Sequence, residues 1–231
     1  MQIKANYIVQ IKTGWMAVLF TCLFHSCKKN EIVESGFSDA NYKIEITGKW
    51  KLPAFSVPAG AHFTYFTGMV HNGTVHMWEN GKPASKGVEN IAEQGYILDA
   101  IAEIDTNIAN RKAIASFLIP PPDITSTLTG NIYCNSSFSY VSCESMIAPT
   151  PDWFVGIDAV DLYQNKRWVS DTTINLYTYD AGTEEGDVFS QANPATVPQQ
   201  LITKLIPAKA MVLANGNAIQ APIATIRFIK Q

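Results

Sequence analysis

Tyr42-Lys43-Ile44-Glu45-Ile46-Thr47 alternates polar and apolar side chains one by one, the period of a strand with one face in a core and the other in water. Ile174-Asn175-Leu176-Tyr177-Thr178-Tyr179 and Ala224-Thr225-Ile226-Arg227-Phe228-Ile229 are written in the same style, as is the stretch from Ile132 to Phe138. Turn signals at Asn72-Gly73, Asn80-Gly81, Ala181-Gly182 and Asn215-Gly216 punctuate these runs, because glycine reaches backbone conformations closed to other residues. One region has a different period. Ile97, Ile101, Ile104 and Ile108 fall at i, i+4, i+7 and i+11, which places four β-branched side chains on one face of a helix. Gly95 separates it from a shorter helix around Val88–Glu93, and Pro120-Pro121-Pro122 ends regular structure. The pattern predicts an all-β fold, an antiparallel β-sandwich with a short helical insertion.

Composition agrees. The chain has 231 residues, 47% hydrophobic and 16% charged, with a formal net charge of −3, so it can bury a core and is not built for disorder. The absence of a basic excess argues against nucleic acid as a partner. No run of eighteen apolar residues occurs, so no membrane-spanning helix is expected. There is no Gly-x-Ser-x-Gly elbow, phosphate loop or dinucleotide fingerprint. His62, His71 and His76 lack the helical i, i+4 spacing of a zinc site and are read as fold residues.

The first residues read as an address. Lys4 and Lys12 precede an apolar run from Trp15 to Phe24, with no acid before Glu31, the order of a secretory signal. His25-Ser26-Cys27-Lys28 follows. A small residue before a cysteine at that place resembles a bacterial lipoprotein processing site. The expected organisation is a signal peptide over 1–26, lipid attachment at Cys27, a tether over 27–40 and one domain over 41–231. Acyl chains would hold the protein to a membrane at about 0.8 kcal/mol per buried methylene. In the exported chain Cys134 and Cys143 flank Asn135–Ser139, which reads as a turn between two strands. A disulfide between them and two buried free thiols are both compatible with that spacing.

Charge is distributed unevenly. Between Glu144 and Asp187 nine acidic residues face only Lys166 and Arg167, and carboxylates so crowded repel one another unless solvent or a cation intervenes. Two acidic spots read as loops at strand ends. Pro149-Thr150-Pro151-Asp152 precedes the apolar Trp153-Phe154-Val155-Gly156-Ile157, and Asp180-Ala181-Gly182-Thr183-Glu184-Glu185-Gly186-Asp187 follows the strand ending at Tyr179. Hard oxygen ligands on glycine-containing loops suit Ca2+. A solvated acidic face fits the spacing as well.

Ser145-Met146-Ile147-Ala148-Pro149-Thr150-Pro151-Asp152-Trp153-Phe154-Val155-Gly156 and Tyr179-Asp180-Ala181-Gly182-Thr183 resemble the signature segments of the spondin domain. Ala61-His62-Phe63, Val70-His71-Asn72, Trp78-x-x-Gly81, Ala84-Ser85-Lys86-Gly87 and Ala92-Glu93-Gln94-Gly95 are similar to its earlier segments, in order. The resemblance runs from about Tyr42 to Ile206. It implies an antiparallel β-sandwich and a bound Ca2+ held at three acidic positions, which fall here on Asp152, Asp180 and Glu184. The third is usually aspartate, and the extra methylene of Glu184 moves its carboxylate by roughly 1.5 Å.

Together these readings predict a calcium-binding, envelope-anchored recognition or adhesion-type module without catalysis of its own. Its ligand would be a surface glycan or protein, and it would sit on the bacterial cell envelope, lipid-anchored. The rival expectation is an envelope hydrolase acting on glycans through two of the clustered carboxylates. A purely structural surface lipoprotein is the third.

Overall fold

The computed structural model describes residues 38–205, 211–216 and 221–231. The expected signal peptide, Cys27 and nearly all of the tether lie outside them. Two antiparallel sheets face each other. The smaller has the order β10 (Asp171–Leu176), β13 (Ala224–Lys230), β1 (Asp39–Gly48), β5 (Thr127–Asn135). The larger runs β12 (Thr203–Lys204), β11 (Thr178–Asp180), β7 (Trp153–Asp161), β6 (Tyr140–Ala148), β3 (Phe66–His71), β4 (Ala113–Ile119), with β2 (His62–Phe63) also paired to β6. A separate hairpin joins β8 (Tyr163–Gln164) to β9 (Arg167–Trp168). β1 starts at Asp39, two residues inside the stretch assigned to the tether.

The alternation in β1 does what its period dictates. Tyr42, Ile44 and Ile46 are fully buried and meet Phe228 and Ile226 of β13, Val141, Ile147, Trp153 and Val155 of the facing sheet, and Trp50 in one core. Glu45 points outward, where Lys43 and Arg227 hold its carboxyl below the usual glutamate range.

Two strands differ from their sequence limits. β5 stops at Asn135, because the Asn135 side chain accepts the Ser137 and Phe138 amides and turns the chain. The run Ile174–Tyr179 is not one strand but two. Up to Leu176 it pairs with β13, and from Thr178 it pairs with β7, so the chain changes sheet at Tyr177.

The helical insertion is α1 (Lys86–Gln94) and α2 (Leu98–Ala109). Ser85 caps α1 by accepting the Val88 amide, and Gly95 ends it at φ 66°, a left-handed C-cap that glycine adopts without strain. Ile101, Ile104 and Ile108 face the larger sheet around Met69 and Ala113, whereas Ile97 sits at the N-cap of α2 rather than inside it. Val88 and Ala92 of α1 pack on Trp78, Phe154 and Ile202. The helices therefore cover the outer face of the larger sheet, adding a third layer.

Cys134 lies in β5 and Cys143 in β6, one in each sheet, and both are buried thiols in the shared core. The disulfide considered from the spacing is not formed. The intervening turn carries the chain from one sheet to the other instead of closing a hairpin. Burial pushes both thiols up to about 12.

Candidate functional site

The sheet change at Tyr177 builds the site. By pairing with β7 rather than continuing beside β13, β11 sets Asp180 opposite Trp153, the residue after Asp152. The Ala181 amide then donates to the Asp152 carbonyl oxygen at 3.1 Å. The two acidic loops, 28 positions apart in sequence, thus meet at one end of the sandwich. The 149–152 loop is fixed at its base from both sides. Trp153 faces the sandwich core and Phe154 the helical layer, where it meets Trp78 at 5.1 Å between ring centroids. The Thr150 hydroxyl donates to the Ile147 carbonyl oxygen inside the loop.

Asp152 is completely buried. Its Oδ2 accepts the Thr183 amide at 2.7 Å, the Thr183 hydroxyl at 3.3 Å and the Glu184 amide at 3.1 Å. Charge-assisted bonds of this kind are stronger than neutral ones, so this carboxylate organises the second loop. Asp180 Oδ1 accepts the Gly182 amide at 2.9 Å. Gly182 has φ 75°, and a Cβ there would lie 2.7 Å from the Gln200 backbone; only glycine fits. Glu184 accepts from Asn193 through Oε2 at 3.2 Å. Burial, then the charges of Glu93 and Asp152, push its carboxyl above the usual range, with the Asn193 bond opposing them.

The loops that carry all three sequence-predicted acids meet at one end of the sandwich, and carboxylate oxygens are the donors a hard cation takes. As placed, however, no group of three or more His, Cys, Asp or Glu side chains among the described residues is gathered closely enough to hold a metal. Asp152 Oδ2 is occupied by N–H and O–H donors. Asp152, Asp180 and Glu184 are the residues that would hold a Ca2+, and only after side-chain adjustment.

The histidines serve elsewhere. His71 is buried; its Nδ1 accepts the Gly73 amide, so Nε2 carries the proton and donates to Ser142 Oγ at 2.9 Å. Ser142 Oγ also accepts the Ala159 amide and donates to Asp158 Oδ1 at 3.3 Å, and Asp158 in turn meets His76 Nδ1 at 2.9 Å. A buried serine whose proton is given to a carboxylate and whose lone pairs are both used is not a nucleophile. Burial pushes His71 down to about 4. His62 Nδ1 bonds the Gly60 carbonyl oxygen.

Sequence reasoning counted Glu144 only as one of the nine acids. It is fully buried under the helical layer, and among the described residues neither its carboxyl oxygens nor the Oγ1 of Thr67, its cross-strand neighbour, has a hydrogen-bond partner. Burial, then Glu103, push its carboxyl well above the usual range. Period two alone would place Glu144 facing water, opposite Cys143; the helices that cover it are distant in sequence.

An antiparallel two-sheet sandwich with a helical cover and acidic loops meeting at one end defines the class of protein. Residues 40–214 match the Spondin_N family, and the chain belongs to it. It is 34% identical over 206 residues to Spondin-2 of Homo sapiens and 31% over 206 residues to Spondin-2 of Rattus norvegicus, covering 83% of this chain and 61% and 62% of those proteins. It is 30% identical over 175 residues to Spondin-1 of Mus musculus, covering 72% of this chain and 22% of that protein. The chain thus spans about three fifths of the length of the Spondin-2 proteins it matches.

Proposed function

We propose that this protein is a calcium-stabilised recognition module of adhesion type, displayed at a bacterial cell surface by lipid at Cys27 and without catalysis of its own. The observation that carries the reading is the meeting of the Asp152 loop with the Asp180–Glu184 loop at one end of the sandwich. Three carboxylates there repel one another. A divalent ion would remove that repulsion and order the loops, leaving a rigid end of the molecule to contact a surface glycan or protein. Membership of the spondin family supports a binding role.

Calorimetric titration of residues 28–231 with CaCl2 tests it, alongside thermal melts with CaCl2 and with EDTA. Saturable binding and a Tm raised by calcium are expected, both lost in Asp180→Asn, a variant that keeps the oxygen accepting the Gly182 amide. Heatless titration together with coincident melts overturns the calcium reading. Labelled palmitate incorporated by the full chain but not by Cys27→Ser tests the anchor independently.

A further inference from the structure

The hairpin of β8 and β9 lies at the opposite end of the molecule from the acidic loops. β7 begins beside Asp152 and ends at Asp161, so its nine residues put about 27 Å between the two ends. At the far end, Trp168 Nε1 donates to Ser38 Oγ at 2.8 Å, and the Ser136 amide donates to the Ser38 carbonyl oxygen. Ser38 is the first described residue, so the upstream chain joins the domain directly beside this hairpin.

The hairpin carries the only two cations of the strongly acidic 144–187 stretch, Lys166 and Arg167. Gln164, Asn165, Lys166 and Arg167 are all exposed, and a shallow open cavity of about 470 Å3 lies between Gln164, Arg167 and Trp168. Its backbone is informative. Asn165 and Lys166 have φ 52° and 61°, the primed turn in which the second position is ordinarily glycine. A lysine held in the left-handed region is strained, and such strain points to use. The acids that flank the hairpin in sequence are engaged elsewhere: Asp161 Oδ1 accepts the Ser139 hydroxyl and the Tyr163 amide, and Asp171 pairs with Arg227. Trp168 and Tyr163 meet at 4.7 Å between centroids with their rings tilted by 48°, and Trp168 also meets Tyr42, so the base of the hairpin is packed while its tip is exposed.

We infer that the Tyr163–Trp168 hairpin is a membrane-facing foot: Lys166 and Arg167 engage the anionic headgroups of the bilayer to which the chain is tethered, so that the Asp152 and Asp180–Glu184 loops point away from it. The inference rests on the anchoring at Cys27. Eleven or so residues between Cys27 and the domain keep the foot within reach of the surface, and each cation near an anionic leaflet contributes about 1 kcal/mol, roughly fivefold in occupancy. The tether supplies the concentration that makes so small a term effective.

Residues 27–231 contain the whole described core. Coupled through Cys27 to maleimide-bearing lipid, while Cys134 and Cys143 stay buried, they mimic the anchored protein without depending on native lipidation. Amine acetylation read by mass spectrometry then compares phosphatidylglycerol-containing vesicles with pure phosphatidylcholine vesicles. Lys166 should be labelled at least about fivefold more slowly on the anionic vesicles, the protection should vanish in high salt, and Lys51, exposed beyond the far end of β1, should not change. Free phosphate in place of the anionic lipid should protect nothing. Arg167→Glu should weaken the protection of Lys166. Equal labelling of Lys166 on both vesicles, protection of Lys51 in its place, or protection by free phosphate alone overturns the proposal. Failure of palmitate labelling at Cys27 with Lys166 still protected would instead remove the anchor reading and leave the lipid contact standing.

Discussion

At the residue scale, two buried titratable groups on the larger sheet set opposing pH dependences. Glu144 is raised above the ordinary glutamate value near 4.5. The unfolded chain gives up this proton first, so stability is full below 4.5 and is lost as pH rises toward the folded value, by up to about 1.4 kcal/mol per pH unit. His71 is lowered from 6.5 to about 4. The unfolded chain takes up that proton first, so its contribution is full above 6.5 and lost as pH falls toward 4. The two slopes oppose between 4.5 and 6.5. Chemical denaturation across pH should therefore show the decline contributed by Glu144 above pH 4.5 flattening the rise contributed by His71, and Glu144→Gln should abolish that decline. A decline unchanged in that variant would mean that Glu144 is not its source. Asp152 makes a different prediction. Asp152→Asn replaces the accepting carboxylate oxygen of three bonds by a neutral amide, and should lower stability by about 1–3 kcal/mol in EDTA, a loss that does not involve calcium at all.

At the scale of elements, the turn at Tyr177 is the decisive feature. The residues Ile174–Tyr179 have one uninterrupted alternation, and nothing in it marks where the strand leaves β13 for β7; the partners on either side decide that. The 181–184 loop, by contrast, depends on a residue type the sequence announces. Gly182→Ala would strain a positive φ and press a methyl group to 2.7 Å from the Gln200 backbone, so a destabilisation of about 2 kcal/mol is expected in urea unfolding. The C-cap at Gly95 is similar. A Cβ there would meet Thr64 Cγ2 at 2.4 Å, which couples the end of α1 to the 64 region beside β2. Gly95→Ala should cost about 1 kcal/mol or more.

Across the whole molecule, the two sheets hold Cys134 and Cys143 apart as reduced core thiols. In residues 28–231, Ellman's reagent should find almost no reactive thiol in the folded state and two after denaturation, and dithiothreitol should leave Tm unchanged. A Tm lowered by dithiothreitol would restore the disulfide. The same architecture gives the molecule two unlike ends: acidic loops at one, the joining point of the upstream chain and a basic hairpin at the other. That polarity is a property of strand direction in β7, which no local stretch encodes.

The sequence by itself determined the strand character of β1, β5 and β13 and the two helices with their Gly95 stop, because period and cap chemistry are local and survive without partners; the choice of Asp152, Asp180 and Glu184 rested on the spondin resemblance. Only the tertiary structure decided which strands pair, that Asp152 gathers the Thr183 and Glu184 amides, that Glu144 lies beneath α1 and α2, and that the cysteines sit in different sheets as buried thiols. Those are outcomes of which surfaces come to cover which, and burial of apolar area is non-directional. A pattern of alternation states that one face must be covered without naming what covers it, and the helical layer covered the face that period two would have left in water.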